Sequence, residues 1–315
     1  MTTRRVCVIL EHMERTGFVT ICGQPNVGKS TLLNAMVGEK VAIVSPKPET
    51  TRDNIKGILT EDGIQIVFTD TPGIHRPHNM LGKYMVKHAQ SAVSEADLII
   101  FITEKKHALA RADQNIIDTL PPPGSGKPVI LIINKVDRVK RKADLLPLLQ
   151  KALELYPFAE IIPMSAIKEK DVKKLMPVIK KYIHEGKFMY PEGQLSDRPN
   201  NFFIQEIIRE KVLECTREEI PHSVAVMVDQ TKYDKKLDVL EIYATIFVER
   251  LSQKGILIGK NGEMMKTIGQ KARLEIKELL EKKIYLNLWV KVREKWKDNM
   301  SALEEAGYSD RDLET

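Results

Sequence analysis

The chain is poor in cysteine and aromatic residues and has no long apolar run, and these shortages narrow the field of candidate functions. Its three cysteines, Cys7, Cys22 and Cys215, are an odd number without close spacing, which argues against a disulfide framework and for reduced thiols in a cytoplasmic protein. No cysteine–histidine metal set accompanies them. No segment approaches the ~18 consecutive apolar residues of a membrane-spanning helix. The start, Met1 to Leu10, carries Arg4-Arg5 and a short apolar patch but no small-residue cleavage site, so it does not read as a signal peptide. Met1 to His12 is expected to be an extension, or a misplaced start ahead of Met13. Disorder is excluded by 43% hydrophobic and 29% charged residues. With 315 residues there is room for two domains, at ~150 residues each. The formal charge of +6 favours a polyanionic partner only modestly.

Gly23-Gln24-Pro25-Asn26-Val27-Gly28-Lys29-Ser30 is the most informative stretch. Two glycines four residues apart, followed by Lys-Ser, let backbone N–H groups turn onto phosphate oxygens. Lys29 neutralises those oxygens and the Ser30 hydroxyl ligates Mg²⁺. An apolar run, Phe18 to Cys22, precedes the loop as a buried strand would, and Thr31 to Val37 follows with helical composition until Gly38. Phosphates are therefore expected at a helix N-terminus.

From Phe18 to His184, strand-like runs alternate with helical stretches, which predicts an α/β domain with a mostly parallel sheet and helices on both faces. The expected strands are Phe18-Cys22, Ile55-Leu59, Ile64-Thr69, Leu98-Thr103, Val129-Ile133 and Ile161-Pro163. Ligands in such sheets collect beyond the carboxyl ends of the strands. Val41 to Thr51, with Pro46, Pro48 and the pair Thr50-Thr51, suits a loop that orders and disorders. At the next strand end, Asp70-Thr71-Pro72-Gly73 offers a carboxylate for a Mg²⁺ shell and the Gly73 N–H for a terminal phosphate. Asn134-Lys135-Val136-Asp137 follows a buried run, and its carboxylate suits the paired N–H donors of guanine, along which the Lys135 stem lies. Ser165-Ala166 offers backbone to the guanine oxygen.

These five elements, in this order, resemble the translation-factor class of GTPases. The resemblance implies GTP and GDP as ligands, held by Gly23, Asn26, Val27, Gly28, Lys29, Ser30, Thr31, Asp70, Gly73, Asn134, Lys135, Asp137, Ser165 and Ala166. It also implies Lys29, Thr50, Thr51 and Gly73 as the catalytic set. Mg²⁺ is expected on Ser30 and on one of Thr50 or Thr51, with Asp70 acting through a water. Pro25-Asn26 and Ile74 resemble the subgroup in which an apolar residue replaces the glutamine that positions water, so intrinsic hydrolysis should be slow. The Asn26 amide either helps to hold a K⁺ ion beside the phosphates or supports the loop by local hydrogen bonds.

Glu185 to Asn200, with Gly186, Pro191, Gly193 and Pro199, reads as a linker. The expected organisation is an extension (1–16), a GTPase domain (17–184), a linker (185–200) and a second domain with a C-terminal helix (201–315). In the second domain, helical spacing over Phe202 to Cys215 precedes strand patterns at Ser223 to Asp229 and Val239 to Val248, joined by a polar turn at Asp234-Lys235-Lys236. Ile258-Gly259-Lys260-Asn261-Gly262 resembles the Gly-x-x-Gly loop of KH domains, which clamps single-stranded RNA. Two strands before the loop and one at Ile284 to Val290 suit the type II KH arrangement, an α+β fold. Lys260, Lys266, Lys271 and Arg273 around the loop suit phosphate contact. Trp289 and Trp296 read as packing residues more readily than as stacking platforms for bases.

A GTPase domain followed by a type II KH domain, with Leu81-Gly82-Lys83-Tyr84-Met85 and Ser252-Gln253-Lys254-Gly255, resembles the Era family of bacterial GTPases over about residues 17 to 310. That resemblance implies a GTP-hydrolysing factor in 30S ribosomal subunit maturation that binds 16S ribosomal RNA near its 3′ end. It further implies a monomer in the cytoplasm, partly at the inner face of the membrane. The competing expectation is a membrane-surface or scaffold GTPase whose basic domain meets lipid or protein.

Overall fold

The structure, a computed structural model, describes residues 14–74, 76–105 and 108–309; the extension Met1 to His12 and the alternative start Met13 lie outside these. Element order in the first domain is β1 (Arg15–Cys22), α1 (Lys29–Val37), β2 (Ile55–Glu61), β3 (Ile64–Asp70), α2 (Met80–Glu95), β4 (Leu98–Glu104), α3 (Arg111–Ile117), β5 (Val129–Asn134), α4 (Leu146–Leu155), β6 (Glu160–Pro163), α5 (Glu169–Lys180) and β7 (His184–Glu185). Among the described residues these strands form one sheet in the order β2-β3-β1-β4-β5-β6, with β7 pairing β1. The pairs β3·β1, β1·β4, β4·β5 and β5·β6 are parallel, whereas β2 runs antiparallel to β3. Asp62-Gly63, both at positive φ (52° and 72°), makes that two-residue hairpin turn the way Asp-Gly favours.

The unbroken apolar runs of β4 and β5 are explained by helices on both faces. On one face Leu32, Leu33 and Met36 of α1 and Leu175 and Ile179 of α5 close over Val19, Ile21, Ile100 and Ile132. On the other, Ile116, Leu145 and Ala152 cover Phe101, Leu131 and Ile133. Cys22 lies in that layer, where burial pushes its thiol up to about 12; Cys215 is half-buried, and Cys7 is outside the described residues.

The connection after β7 is strapped to the sheet. Ile58 N donates to Leu195 O at 2.9 Å and Ser196 Oγ to Lys56 O at 2.6 Å. The buried Gln65 amide accepts from Met189 N and Tyr190 N and donates to Tyr190 O. Composition reads this stretch as a linker, and its backbone also completes the β2 edge.

The second domain runs α6 (Asn200–Cys215), α7 (Ile220–Ser223), β8 (Ala225–Asp234), β9 (Val239–Val248), α8 (Leu251–Ile258), α9 (Glu263–Leu280), β10 (Lys283–Val292) and α10 (Met300–Glu305). Its sheet has the order β10-β9-β8, with β10 parallel and β8 antiparallel to β9. One face packs on Ile204, Ile208 and Val212 of α6 and Ile268, Ala272 and Ile276 of α9. The polar turn closes on Asp234, whose Oδ1 accepts from Lys236 N and Leu237 N. This is the expected type II KH order. A fourth apolar cluster joins the domains: Leu81, Tyr84 and Met85 of α2 meet Ala225, Phe247, Trp296, Leu303 and Tyr308.

Candidate functional site

The ends of β1, β3 and β5 bring the phosphate, metal and base elements to one edge of the sheet. Gly23 and Gly28 are needed there for room as much as for rotation. A Cβ on Gly23 would lie 2.3 Å from Ile102 O, and one on Gly28 would lie 2.4 Å from Asn134 Nδ2. Gly28, at φ 105°, caps α1, so the first-turn N–H groups of that helix open toward the loop. Lys29 is buried, and its ammonium donates to Gly23 O (3.3 Å) and Gln24 O (2.9 Å). Burial lowers its pKa, partly offset by the charge of Asp70. Val27 is in the core and Thr31 is half-buried at the rim.

Three oxygens converge beside Lys29. Ser30 Oγ donates to Asp70 Oδ2 at 2.6 Å, Thr51 Oγ1 donates to the same atom at 3.1 Å, and the two hydroxyls are 3.0 Å apart. Asp70 Oδ1 is buried with no partner among the described residues, and burial raises the Asp70 pKa. A buried carboxylate with an orphaned oxygen beside two hydroxyls is a hard-oxygen set that fits Mg²⁺. The structure thus separates the two threonines: Thr50 Oγ1 instead donates to Lys47 O at 2.6 Å, which turns it away from the cluster.

Gly73 allows the loop after β3 to touch the phosphate loop, since a Cβ there would lie 2.7 Å from Pro25. Ile74 N donates to Gly23 O at 3.1 Å, and its side chain leans on the apolar layer of Phe101 and Leu131. Nothing in that side chain orients water.

Around the base position, Asn134 works as a staple. Its Nδ2 donates to Val27 O at 2.8 Å and its Oδ1 accepts from Ala166 N at 2.9 Å. Asp137 is exposed and accepts from Ser165 Oγ at 2.5 Å; that hydrogen bond holds its carboxyl below the usual range. Lys135, at φ 59°, places its ammonium on Asn26 O (2.5 Å) and Glu104 Oε2 (2.7 Å). Asn26, at φ 64°, donates from Nδ2 to Pro46 O at 3.0 Å, tying the phosphate loop to the mobile-type loop 41–51. A cavity of ≈ 330 Å³ collects Gly28, Lys29, Ser30, Thr51, Gly73 and Lys135. Four residues not predicted from sequence belong to this region. Glu49 and Arg138 line the cavity, Glu104 anchors Lys135, and Asp171 accepts from Ser165 N at 3.0 Å. Glu104 at a strand end and Asp171 in a helix's first turn are the faint signals for the last two.

The loop that carries Thr51 runs straight into the second domain. Arg52 is 1% exposed; it donates to Val224 O (2.6 Å) and Tyr308 Oη (3.0 Å) and lies against the Trp296 and Tyr308 rings at 5.7 and 5.9 Å. Arg209 of α6 donates to Thr50 O. Glu210 accepts from Val44 N at 3.0 Å and pairs with Lys40 at 2.6 Å.

In the second domain, Gly259 at φ 73° lets α8 turn onto α9, where a Cβ would lie 2.7 Å from that of Met264. Lys260 and Asn261 stand exposed between Gly259 and Gly262, and Ile258 is half-buried beneath them. Past that loop in the chain, a groove of ≈ 330 Å³ lies between Lys266, Gly269 and Arg273 of α9 and Tyr285 to Leu288 of β10. Lys271 is a correction. It leaves the basic cluster because helical rotation carries it to the opposite face, where it pairs with Glu214 at 3.4 Å and lines the cleft between the domains. Trp296 is buried as expected, but Trp289 is 45% exposed.

Comparison with known proteins agrees with this geometry. A family described as "50S ribosome-binding GTPase" matches residues 18–135, and the KH domain family matches residues 219–297. Among solved structures, Era in complex with MgGDPNP and nucleotides 1506–1542 of 16S ribosomal RNA is 39% identical, with TM-score 0.90, covering 94% of this chain and 99% of that one. An Aquifex aeolicus Era variant bound to GDP·AlF₄⁻ gives the same identity, TM-score and coverage.

Proposed function

The chain belongs to the Era family of GTPases, and from that premise we propose that it is a GTP-hydrolysing switch whose KH domain holds 16S ribosomal RNA near its 3′ end during 30S subunit assembly. The observation that carries the switch reading is the adjacency of Thr51 and Arg52. One hydroxyl belongs to the Ser30–Asp70 oxygen cluster, and the next side chain is buried against the second domain. The broad GTPase family is described by the large subunit, but the likeness that spans both domains is to a protein holding small-subunit RNA, and the small subunit is therefore the assignment.

Hydrolysis proceeds by in-line attack of water on the γ-phosphoryl group, which demands positioning and charge rather than covalent chemistry. Lys29 and the N–H groups opening from Gly28 hold the β and γ oxygens. Ser30 and Thr51 would hold Mg²⁺, with Asp70 in its outer shell; the ion, when bound, neutralises charge developing on the phosphates. Asp137 accepts the guanine N–H pair, and Ser165 holds that carboxylate ready. Ile74 leaves the attacking water without a side-chain partner, so a bound partner, a conformational change or a further cation completes the site. Asn26 Nδ2 donates to Pro46 O, which is the loop-supporting role; its amide oxygen would be the atom to face K⁺ if that is the cation, and equal rates in K⁺ and Na⁺ would remove the ion. The resemblance also supports a monomer in the cytoplasm with a fraction at the inner membrane face.

The decisive experiment crosslinks the intact protein to cellular RNA with a GTP analogue or GDP bound. Reads concentrated at the 3′ end of 16S ribosomal RNA, and stronger with the analogue, are expected. Reads spread evenly over cellular RNA in both states would overturn the assignment.

A further inference from the structure

Both tryptophans lie on the side of the KH sheet away from α6 and α9, yet in opposite surroundings. Trp296 is fully buried and donates to Ser223 O at 2.9 Å. With Leu303 and Ala306 it covers one end of that outer face, over Ala225 and Phe247. The other end is open. Along β10 the residues that alternate away from the core are Lys283, Tyr285, Asn287, Trp289 and Lys291, while Ile284 and Val290 pack inward. In the parallel register Tyr243 of β9 pairs with Asn287. Its ring stacks on Trp289 (5.8 Å between centroids, 17° between planes) and meets Tyr285 edge-on at 6.4 Å. Trp289 and Tyr285 are 45% and 50% exposed.

An exposed cluster of large rings in mutual contact calls for an occupant more than the scattered exposed aliphatics of this domain do. Two observations choose it. The stripe is continuous with the KH groove, because Tyr285 and Asn287 line that groove from the β10 edge while standing on the outer face. Its ends are basic, with exposed Lys283 and Lys291 on the same face. The acids nearby are largely engaged: Glu241 accepts from Tyr243 Oη at 3.1 Å, Asp229 from Thr245 Oγ1 at 2.7 Å, and Asp238 lies 3.9 Å from Lys283. Flat rings between cations suit unpaired bases on a phosphate chain.

We propose that the open half of the outer sheet face, Tyr243, Tyr285 and Trp289 between Lys283 and Lys291, is a second single-stranded RNA contact on which bases leaving the KH groove stack after passing the β10 edge. It rests on the RNA-binding reading of the groove. Tyr285 and Trp289 are four residues apart, about 13 Å along a strand, which accommodates two or three bases. The contact is tolerant of sequence, since every base has a π-face.

The test uses the full chain with two RNAs from the 3′ end of 16S ribosomal RNA. One, of about five nucleotides, fills only the groove; the other, of about twelve, continues beyond it. The double variant Tyr243→Ala/Trp289→Ala should lower affinity for the longer RNA by about tenfold, relative to its affinity for the shorter one, which also reports that the domain is folded. Trp289→Phe should retain most of the difference. In the unmodified protein the longer RNA, and not the shorter, should quench the emission that Trp289→Phe removes. An unchanged affinity ratio, or no such quenching, overturns the platform. So does loss of binding to phosphatidylglycerol vesicles in the double variant with the RNA ratio intact, which would make the face a lipid contact. Failure of the groove reading is distinguishable: Lys260→Asp/Asn261→Asp would then leave the short RNA bound.

Discussion

Replacing Arg52 with alanine should uncouple the nucleotide loop from the KH domain. The guanidinium makes three hydrogen bonds to the far domain, a long one of 3.4 Å to Pro221 O among them, each worth at most about 1.5–3 kcal/mol when the donor is charged, and two cation–π contacts of roughly 0.5–2 kcal/mol each. Against these stands the burial of a cation with no carboxylate partner among the described residues, a cost of several kcal/mol, and its Nε likewise finds no acceptor there. The net value of the residue is therefore small. The cost of deleting it is not, because alanine strands the Val224 carbonyl and leaves a hole beside the stacked Trp296 and Tyr308 rings. We put that cost at about 3 kcal/mol, or roughly 150-fold in the ratio of docked to undocked domains. Two assays read it. Proteolysis of the interdomain connection should accelerate, and the ratio of RNA affinities with a GTP analogue and with GDP should fall toward one, as reciprocity between the two sites requires. Arg52→Met, which fills similar space without charge, separates packing from hydrogen bonding; it should be milder than alanine. Unchanged proteolysis together with an unchanged affinity ratio in Arg52→Ala would refute the coupling.

Three further outcomes are expected. Thr51→Ala should reduce Mg²⁺-dependent hydrolysis by about a hundredfold and Thr50→Ala far less, because only Thr51 joins Ser30 and Asp70; steady-state rates across a Mg²⁺ titration check it, and equal losses would contradict the geometry. Asp137→Asn should weaken GTP on the order of a hundredfold, less than the 10⁴ of a fully buried polar site because Asp137 is exposed, and should favour xanthosine triphosphate; competition binding decides. Asp53, half-buried as a residue, turns its carboxyl inward to accept from the Tyr84 hydroxyl, and burial raises its pKa. A raised carboxylate pKa gives stability that is fully present below the ordinary value and lost as pH rises through the raised one. Asp53→Asn should therefore raise the melting temperature at pH 8, with the advantage shrinking toward pH 4; a constant difference across that range would show that ionisation is not the cause.

Much of the molecule was legible in the sequence because its signals are local. The apolar runs of β4 and β5, the glycines at 23 and 28 and the turn at Asp234 each act within a few residues of themselves. What escaped depends on distant partners. Thr50 and Thr51 are identical neighbours, and only backbone direction distinguishes the one that meets Asp70. Lys271 joins a basic count by composition but leaves it by helical rotation. Arg52 carries no signal of its own in the sequence, because what buries it is the distant C-terminal segment. Trp289 is open because that same segment stops short of it. β1 begins at Arg15 rather than Phe18 because β3 and β7 supply partners for its first residues.

The strap from Met189 to Ser196 has a consequence for solubility and for motion. β2 is the outermost strand of its sheet, and an uncovered outer strand is a template for pairing with another chain. Leu195 and Ser196 occupy that template from within the same molecule. A swing of the KH domain that tore the strap away would expose an adhesive edge on every cycle. The strap continues past Ser196, since Asp197 lies 3.4 Å from Lys56 and Arg198 donates to Asn54 O at 3.1 Å, so a pivot that spares this edge is confined to the step into α6 at Pro199.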